Sequence, residues 1–175
     1  MIITAKIQEK IDAYRTHVLL AIDYLSQERW EDSAVRFRKS AEAYMKVIIY
    51  EHLGDTLGHE VILAHKFQDG STRSRNYSLY YYELQNICKN PNNNWIDATT
   101  DQVLEDIKDK ANSNAHDSNS RQDLMLQKEQ LDDCLELSNQ LTTILYTHIG
   151  STMPIEMQRA YADGVVDSQM ISQLM

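Results

Sequence analysis

Apolar residues recur at steps of three and four along most of the chain, which is the period of an α-helix that buries one face. The first such stripe predicts a helix over residues 3–27, and the second predicts a helix over 30–52 with Gly54 as its C-terminal cap. The first stripe consists of Ile3, Ile7, Ile11, Tyr14, Val18, Ala21 and Leu25. Two long amphipathic helices joined by a short link favour an antiparallel pair.

Polar segments divide the middle of the chain. Residues 55–67 contain the apolar run Val61–Ala64, whose secondary structure the pattern leaves open. A polar loop over 68–76 precedes a third predicted helix at 77–89, and the sequence NPNNN at 90–94 is the clearest break in the chain. No segment alternates with the period of a β-strand, so no strand is predicted.

The second half of the chain again has the helical period. A fourth helix is expected to begin near Asp101, as its N-cap, and to run through Asn112 toward His116. A fifth helix is expected over 123–148 and ends before Gly150. The predicted fold class is therefore an all-α, antiparallel up-and-down helical bundle.

The bundle is expected to occupy residues 1–149. Residues 150–175 are predicted to be a short helical C-terminal extension, or a stub that leads to a further domain. Pro154 suits the first turn of a helix in this extension. A chain of 175 residues is long enough to bury a core of its own.

The composition limits the classes of partner. A formal net charge of −9 argues against a broad, non-specific grip on nucleic acid, although a local basic site remains open. No run approaches the roughly 18 apolar residues of a membrane span, so no membrane partner is expected. Cys88 and Cys134 lack CxxC spacing and are predicted to be reduced core thiols of a cytoplasmic protein.

The most informative polar positions are Lys108, Asn112 and His116. They lie at i, i+4 and i+8 of the fourth predicted helix, beside its apolar face. A histidine near neutral pKa can transfer a proton in phosphodiester or acyl chemistry, whereas the alternative is a helix-terminal histidine that caps carbonyls. No histidine pair has the spacing of a helical zinc site, and no glycine motif for ATP or NAD is present. No metal and no cofactor is therefore expected.

Two further groups of side chains are candidates for binding. Arg73 and Arg75 lie in the basic segment 66–75, which precedes four tyrosines: Tyr77, Tyr80, Tyr81 and Tyr82. Cations interleaved with aromatic rings suit single-stranded nucleic acid. The alternative interpretation is a surface loop followed by a helix with an aromatic packing face.

The second predicted helix carries Arg38, Glu42 and Lys46 at steps of four residues. On one interpretation they form a solvent-facing ladder of ion pairs, each contributing about 0.2–0.5 kcal/mol. On the other, Arg38 and Glu42 flank the apolar stripe and meet the fourth helix across the bundle.

Two segments resemble a known family. The sequence RKSAEAYMK at 38–46 resembles the second-helix pattern of HEPN-like helical domains, especially the DUF4145 branch, and IKDKANSNAHD at 107–117 resembles a later segment of that branch. The resemblance implies a homodimer that cleaves RNA without a metal, in toxin–antitoxin or anti-phage systems. His116 would then handle the proton of the 2′-hydroxyl or the leaving group, a cation would hold the phosphate, and Asn112 would orient them.

The chain departs from this family at the arginine expected before the Asn–His pair. Lys108 and Lys110 stand there, and lysine lacks the two-pronged grip of guanidinium on phosphate. Either Lys110 substitutes, or Arg121 or Arg38 supplies the fork, or the site is inactive. The two functions expected are an RNA-directed module, as an endoribonuclease or a degenerate RNA-binding form, and a non-catalytic dimerising domain that scaffolds a partner enzyme or a fused effector domain.

Overall fold

The secondary structure is almost entirely helical. The structure, a computed structural model, describes the backbone of residues 1–112 and 121–175 and the side chains of 1–112 and 127–175. In chain order, the elements of these residues are α1 (Ala5–Ser26), α2 (Trp30–Leu53), α3 (Asp55–Leu63), β1 (Ala64–Lys66), β2 (Thr72–Ser74), α4 (Tyr81–Lys89), α5 (Ala98–Asn112), α6 (Arg121–Ile149), α7 (Ile155–Asp163) and α8 (Ser168–Leu174). The predicted all-α helical bundle is confirmed.

Helices α1 and α2 form the predicted antiparallel pair. The Ser33 hydroxyl donates to the Ala21 carbonyl at 2.8 Å, and a guanidinium nitrogen of Arg36 lies 3.0 Å from Nδ1 of His17. Residue numbers therefore rise along one helix as they fall along the other. Gly54 ends α2 with φ of 82°, a backbone conformation that glycine adopts without strain.

Helix α2 is the centre of the bundle. It packs against α1 and α3–α6, and twelve of its residues are buried. Because such a helix is covered on several sides, its polar side chains are held close to neighbouring helices. Cys88 and Cys134 are both free thiols buried in the core, as expected.

A small β-hairpin was not expected from the sequence. Strands β1 and β2 pair antiparallel with His65 opposite Arg73, in a region predicted to hold no strand. Three-residue strands are too short to show an alternating pattern, so that prediction is wrong for a physical reason. Residues 55–63, whose state was left open, form α3.

Two helix starts also differ from the prediction. Helix α4 begins at Tyr81 rather than at residue 77, because Leu79 N–H donates to the Ile62 carbonyl at 2.7 Å and holds the preceding residues extended. Helix α5 begins at Ala98 rather than near Asp101. The Asp97 carboxylate accepts from Thr100 N–H at 2.7 Å, so Asp97 is the N-terminal cap.

The predicted C-terminal extension packs into the same core. Met157 of α7 is completely buried, and the Tyr161 hydroxyl lies 2.7 Å from both the Ser138 and the Thr142 hydroxyls of α6. Arg15 of α1 forms an ion pair with Glu156 at 2.7 Å. Helix α7 is therefore attached to the bundle by buried contacts as well as by the chain, whereas α8 has no buried residue.

Candidate functional site

Both lysines of the predicted α5 site are held by carboxylates. Lys108 Nζ lies 2.9 Å from Glu105, one turn earlier on α5, and Lys110 Nζ lies 3.0 Å from Asp133 on α6. The hydrogen bond from Lys110 to Asp133 raises the pKa of Lys110, and the bond from Lys108 lowers the pKa of Glu105. A phosphate that binds either lysine must therefore displace or share a carboxylate.

The remaining residues of that site are only partly described. Asn112 is the last residue of α5 and is exposed. His116 lies outside the described residues, and so does the side chain of Arg121 at the start of α6. The predicted grouping of Lys108, Asn112 and His116 thus stays a prediction.

The polar residues of α2 do not form a solvent-facing ladder, so that interpretation is wrong. Arg38, Glu42 and Lys46 are all half-buried, and none of the ion pairs found among the described residues, at 4.0 Å or less, joins them. Burial raises the pKa of Glu42, while the neighbouring cations Lys46, Arg38 and Lys39 act in the opposite direction. These side chains are close enough to interact but are not neutralised in contact pairs.

Arg38 and Glu42 instead act on Tyr81 of α4. The Tyr81 hydroxyl donates to the Leu104 carbonyl of α5 at 2.6 Å. Burial raises the pKa of Tyr81, the Glu42 carboxylate raises it further, and Arg38 lowers it. Arg38 and Glu42 therefore act on a residue of α4 that is hydrogen-bonded to α5, and the interpretation in which they meet the fourth predicted helix stays a prediction. The Nε of Arg38 is buried with no hydrogen-bond partner.

Three of the four clustered tyrosines form an exposed aromatic surface. The residues Tyr77, Tyr80 and Tyr82 are 50%, 51% and 56% exposed, whereas Tyr81 is 2% exposed. The rings of Tyr80 and Tyr82 are 6.3 Å apart and tilted by 17°, and those of Tyr77 and Tyr80 are 6.5 Å apart. The aromatic packing face expected on the alternative interpretation is thus limited to Tyr81.

The cations of the β-hairpin lie on aromatic rings beside these tyrosines. The guanidinium carbon of Arg73 is 3.8 Å from the Phe67 ring centre, and that of Arg75 is 4.4 Å from the same ring and 5.3 Å from Tyr77. Arg75 also donates to the Tyr77 hydroxyl. We call Phe67, Arg73, Arg75, Tyr77, Tyr80 and Tyr82 the tyrosine surface.

Buried contacts fix the tyrosine surface in place. His65 is 3% exposed, and its Nε2 lies 3.2 Å from the Tyr77 carbonyl. Its ring is 5.1 Å from that of Tyr77 and 5.5 Å from that of Tyr80. Glu83 accepts from Tyr80 N–H at 3.1 Å at the start of α4. Hydrogen bonds and ring contacts therefore hold the backbone at Tyr77 and Tyr80, which lowers the entropy lost when a ligand stacks on their rings.

Within the hairpin, one arginine has a carboxylate neighbour and the other does not. Arg73 lies 3.2 Å from Asp69, but both side chains are more than half exposed, so this pair is weak. Arg75 forms no ion pair of 4.0 Å or less with the described residues. It is the more available of the two cations.

A second basic feature was missed in the sequence. A cavity of about 300 Å³ lies between α1 and α2 and is lined by Lys10, Ala13, His17, Lys39, Glu42, Ala43, Lys46 and Ser78. We call it the lysine pocket. Lys10 and His17 are seven residues apart on α1, as are Lys39 and Lys46 on α2. That spacing was visible, but only the antiparallel register of the two helices brings the four side chains together.

No protein-family model, curated protein or solved structure matches the chain. Across residues 1–112 and 121–175, no helix combines the length and apolar character needed to cross a membrane. In the same part of the chain, no group of three or more His, Cys, Asp or Glu side chains is placed to hold a metal ion.

Proposed function

We propose that the chain binds single-stranded RNA through the tyrosine surface. The observation that carries this proposal is the set of three half-exposed tyrosines beside two arginines stacked on Phe67, in a chain whose net charge is −9. Exposed rings offer faces on which bases stack, and neighbouring cations meet the phosphates. A local site of this kind does not require a basic protein.

The choice of RNA rests on the resemblance of residues 38–46 and 107–117 to HEPN-like domains. That resemblance also supports membership of a toxin–antitoxin or anti-phage system. Stacking alone does not separate RNA from DNA, because every base has an aromatic face. The proposal therefore predicts a preference for RNA that the 2′-hydroxyl provides.

Of the two RNA-directed forms, we propose the binding form without cleavage. Metal-independent cleavage needs a cation at the scissile phosphate and a general acid or base at the 2′-hydroxyl. Lys108 and Lys110 are each paired with a carboxylate, which weakens their availability for phosphate. His116 would be the proton-transfer group of the cleaving form.

The direct test is fluorescence anisotropy with a labelled, unstructured RNA of about 12 nucleotides, within the usual site sizes of such surfaces. Tyr80→Ala should weaken binding by about 5–150-fold, since stacking contributes about 1–3 kcal/mol per base. Tyr80→Phe should bind nearly as well as wild type because the ring is kept. Ile155→Ala is the matched control, since Ile155 is 56% exposed on α7.

Equal RNA affinity of the wild type and Tyr80→Ala, with both proteins folded, would contradict the proposal. The same RNA incubated in EDTA beside His116→Ala tests the cleaving form. Cleavage by the wild type alone, with 2′,3′-cyclic phosphate ends, would show that the chain is an endoribonuclease.

The alternative function, a dimerising domain that scaffolds a partner enzyme, stays a prediction. Sedimentation of the same samples measures the oligomeric state. A dimer that binds no RNA would favour this alternative.

A further inference from the structure

The lysine pocket is lined by both alanine and charged side chains. Ala13 of α1 and Ala43 of α2 line it together with Lys10, Lys39 and Lys46. Because alanine side chains are short, they leave space between the two helices that the longer side chains surround. A cavity of about 300 Å³ is at the lower end of the range of small-molecule sites.

The positive charge in the lysine pocket is only partly compensated. Neither Lys39 nor Lys46 has a carboxylate oxygen within 4.0 Å among the described residues, whereas Lys10 lies 3.1 Å from Glu9. Glu42 is the one carboxylate that lines the cavity. Burial is the largest cause that lowers the pKa of Lys46. Lys10 and Lys39 lower this pKa further, whereas the Glu42 carboxylate raises it. Such a group gains from an anion beside it.

His17 adds a neutral hydrogen-bond donor. Burial, and then the positive charges of Arg36, Lys39, Lys46 and Lys10, lower the pKa of His17 to about 4. Its imidazole is therefore neutral at pH 7. The Arg36 guanidinium lies 3.0 Å from Nδ1 and can only donate, so Nδ1 accepts and the proton sits on Nε2. The ring thus keeps an N–H donor for another partner.

We propose that the lysine pocket binds a phosphate group, either as inorganic phosphate or as a small phosphate monoester. Three lysines, His17 and Ser78 line a space large enough for a tetrahedral dianion, and the Ser78 hydroxyl also donates to the Leu79 carbonyl at 3.2 Å. Lysine binds phosphate as a point charge, which suits a ligand approached from two helices. The site shares no residue with the tyrosine surface, so the inference does not depend on RNA binding.

The test is calorimetric titration at low ionic strength with inorganic phosphate and, separately, with adenosine 5′-monophosphate. The double variant Lys39→Gln, Lys46→Gln should bind at least about tenfold more weakly, because two charge-assisted contacts are lost. The control Lys89→Gln, Lys128→Gln removes the same charge from exposed positions and should bind within about twofold of wild type. Tighter binding of the monoester than of inorganic phosphate would show that the pocket also contacts the rest of the ligand. Equal binding would show that it recognises the phosphate group alone.

Glu42→Gln gives an independent result in the opposite direction. Removing the one lining carboxylate should tighten phosphate binding by about threefold or more, since a like charge beside the ligand is lost. Bound phosphate should also raise the pKa of His17, followed by NMR of its imidazole. No saturable phosphate binding by the wild type, or equal binding by the lysine variant and its control, would overturn the proposal. RNA binding in the pocket, without binding of either inorganic phosphate or the monoester, would also overturn the proposal.

Discussion

Two regions of this chain were candidates for RNA contact, and their cations have different neighbours. On α5, Lys108 and Lys110 each lie within 3.0 Å of a carboxylate. On the β-hairpin, Arg73 and Arg75 lie over the Phe67 ring. Arg73 also forms an exposed pair with Asp69 at 3.2 Å, whereas Arg75 has no carboxylate within 4.0 Å among the described residues. A lysine that matches a sequence motif can therefore be less available to a ligand than an arginine outside the motif, because a carboxylate already lies beside it.

The difference has a simple origin in the sequence. Helix α5 and the facing part of α6 are rich in Asp and Glu, so a lysine there finds an acidic partner one turn away or across the interface. The hairpin places its arginines beside aromatic residues, and guanidinium stacks on such rings without losing its charge. Sites with different local electrostatic environments therefore occur in a chain whose net charge is −9.

The largest predicted effect separates the buried tyrosine from the exposed ones. Tyr81→Ala should lower the free energy of unfolding by about 3–5 kcal/mol, because a fully packed ring is removed from the core. Tyr82→Ala, one residue away and 56% exposed, should change it by no more than about 0.5 kcal/mol. Urea denaturation measures both. Similar losses for the two variants would mean that the tyrosine surface is structural.

The salt dependence of RNA binding should distinguish the two sets of cations. Arg75→Gln should reduce the slope of log affinity against log salt by about 0.7, the value for one phosphate contact on a single strand. Lys110→Gln should leave the slope unchanged, since Lys110 is not part of the tyrosine surface and lies 3.0 Å from Asp133. Anisotropy titrations over a range of salt concentrations give both slopes. A slope that falls with Lys110→Gln and not with Arg75→Gln would reverse the comparison.

The smallest effect concerns the stability of the α5–α6 ion pair. Lys110→Gln should lower the free energy of unfolding by no more than about 1 kcal/mol, since both side chains are partly exposed and solvent screens the pair. High salt should reduce the difference further. Thermal unfolding at low and high salt measures it. A loss well beyond this range would show that Lys110 has a larger structural role than its pairing with Asp133.

The long helices could be predicted because their patterns are long. Helices α1, α2 and α6 each show the apolar period over many turns, and their predicted bounds are within three residues of the structure. The hairpin could not be predicted, because His65 and Arg73 pair across a turn in strands of three residues. The start of α4 differs from the prediction because of a backbone hydrogen bond between distant residues, from Leu79 to Ile62.

The candidate sites were predictable in composition but not in arrangement. The sequence shows four tyrosines after a basic segment, but only packing shows that Tyr81 points into the core. The ion pair between Lys110 and Asp133 joins two helices, so it depends on how α5 and α6 are placed together. The lysine pocket depends on the register of α1 against α2 in the same way.

The most direct test of RNA binding is to map where RNA touches the protein. An unstructured RNA containing 4-thiouridine can be crosslinked to the full chain by long-wavelength light and the modified peptides identified by mass spectrometry. We expect crosslinks at Tyr77, Tyr80 or Tyr82 that a competing unlabelled RNA removes. Crosslinks confined to the segment from Lys108 to Arg121, with none on the tyrosine surface, would contradict it.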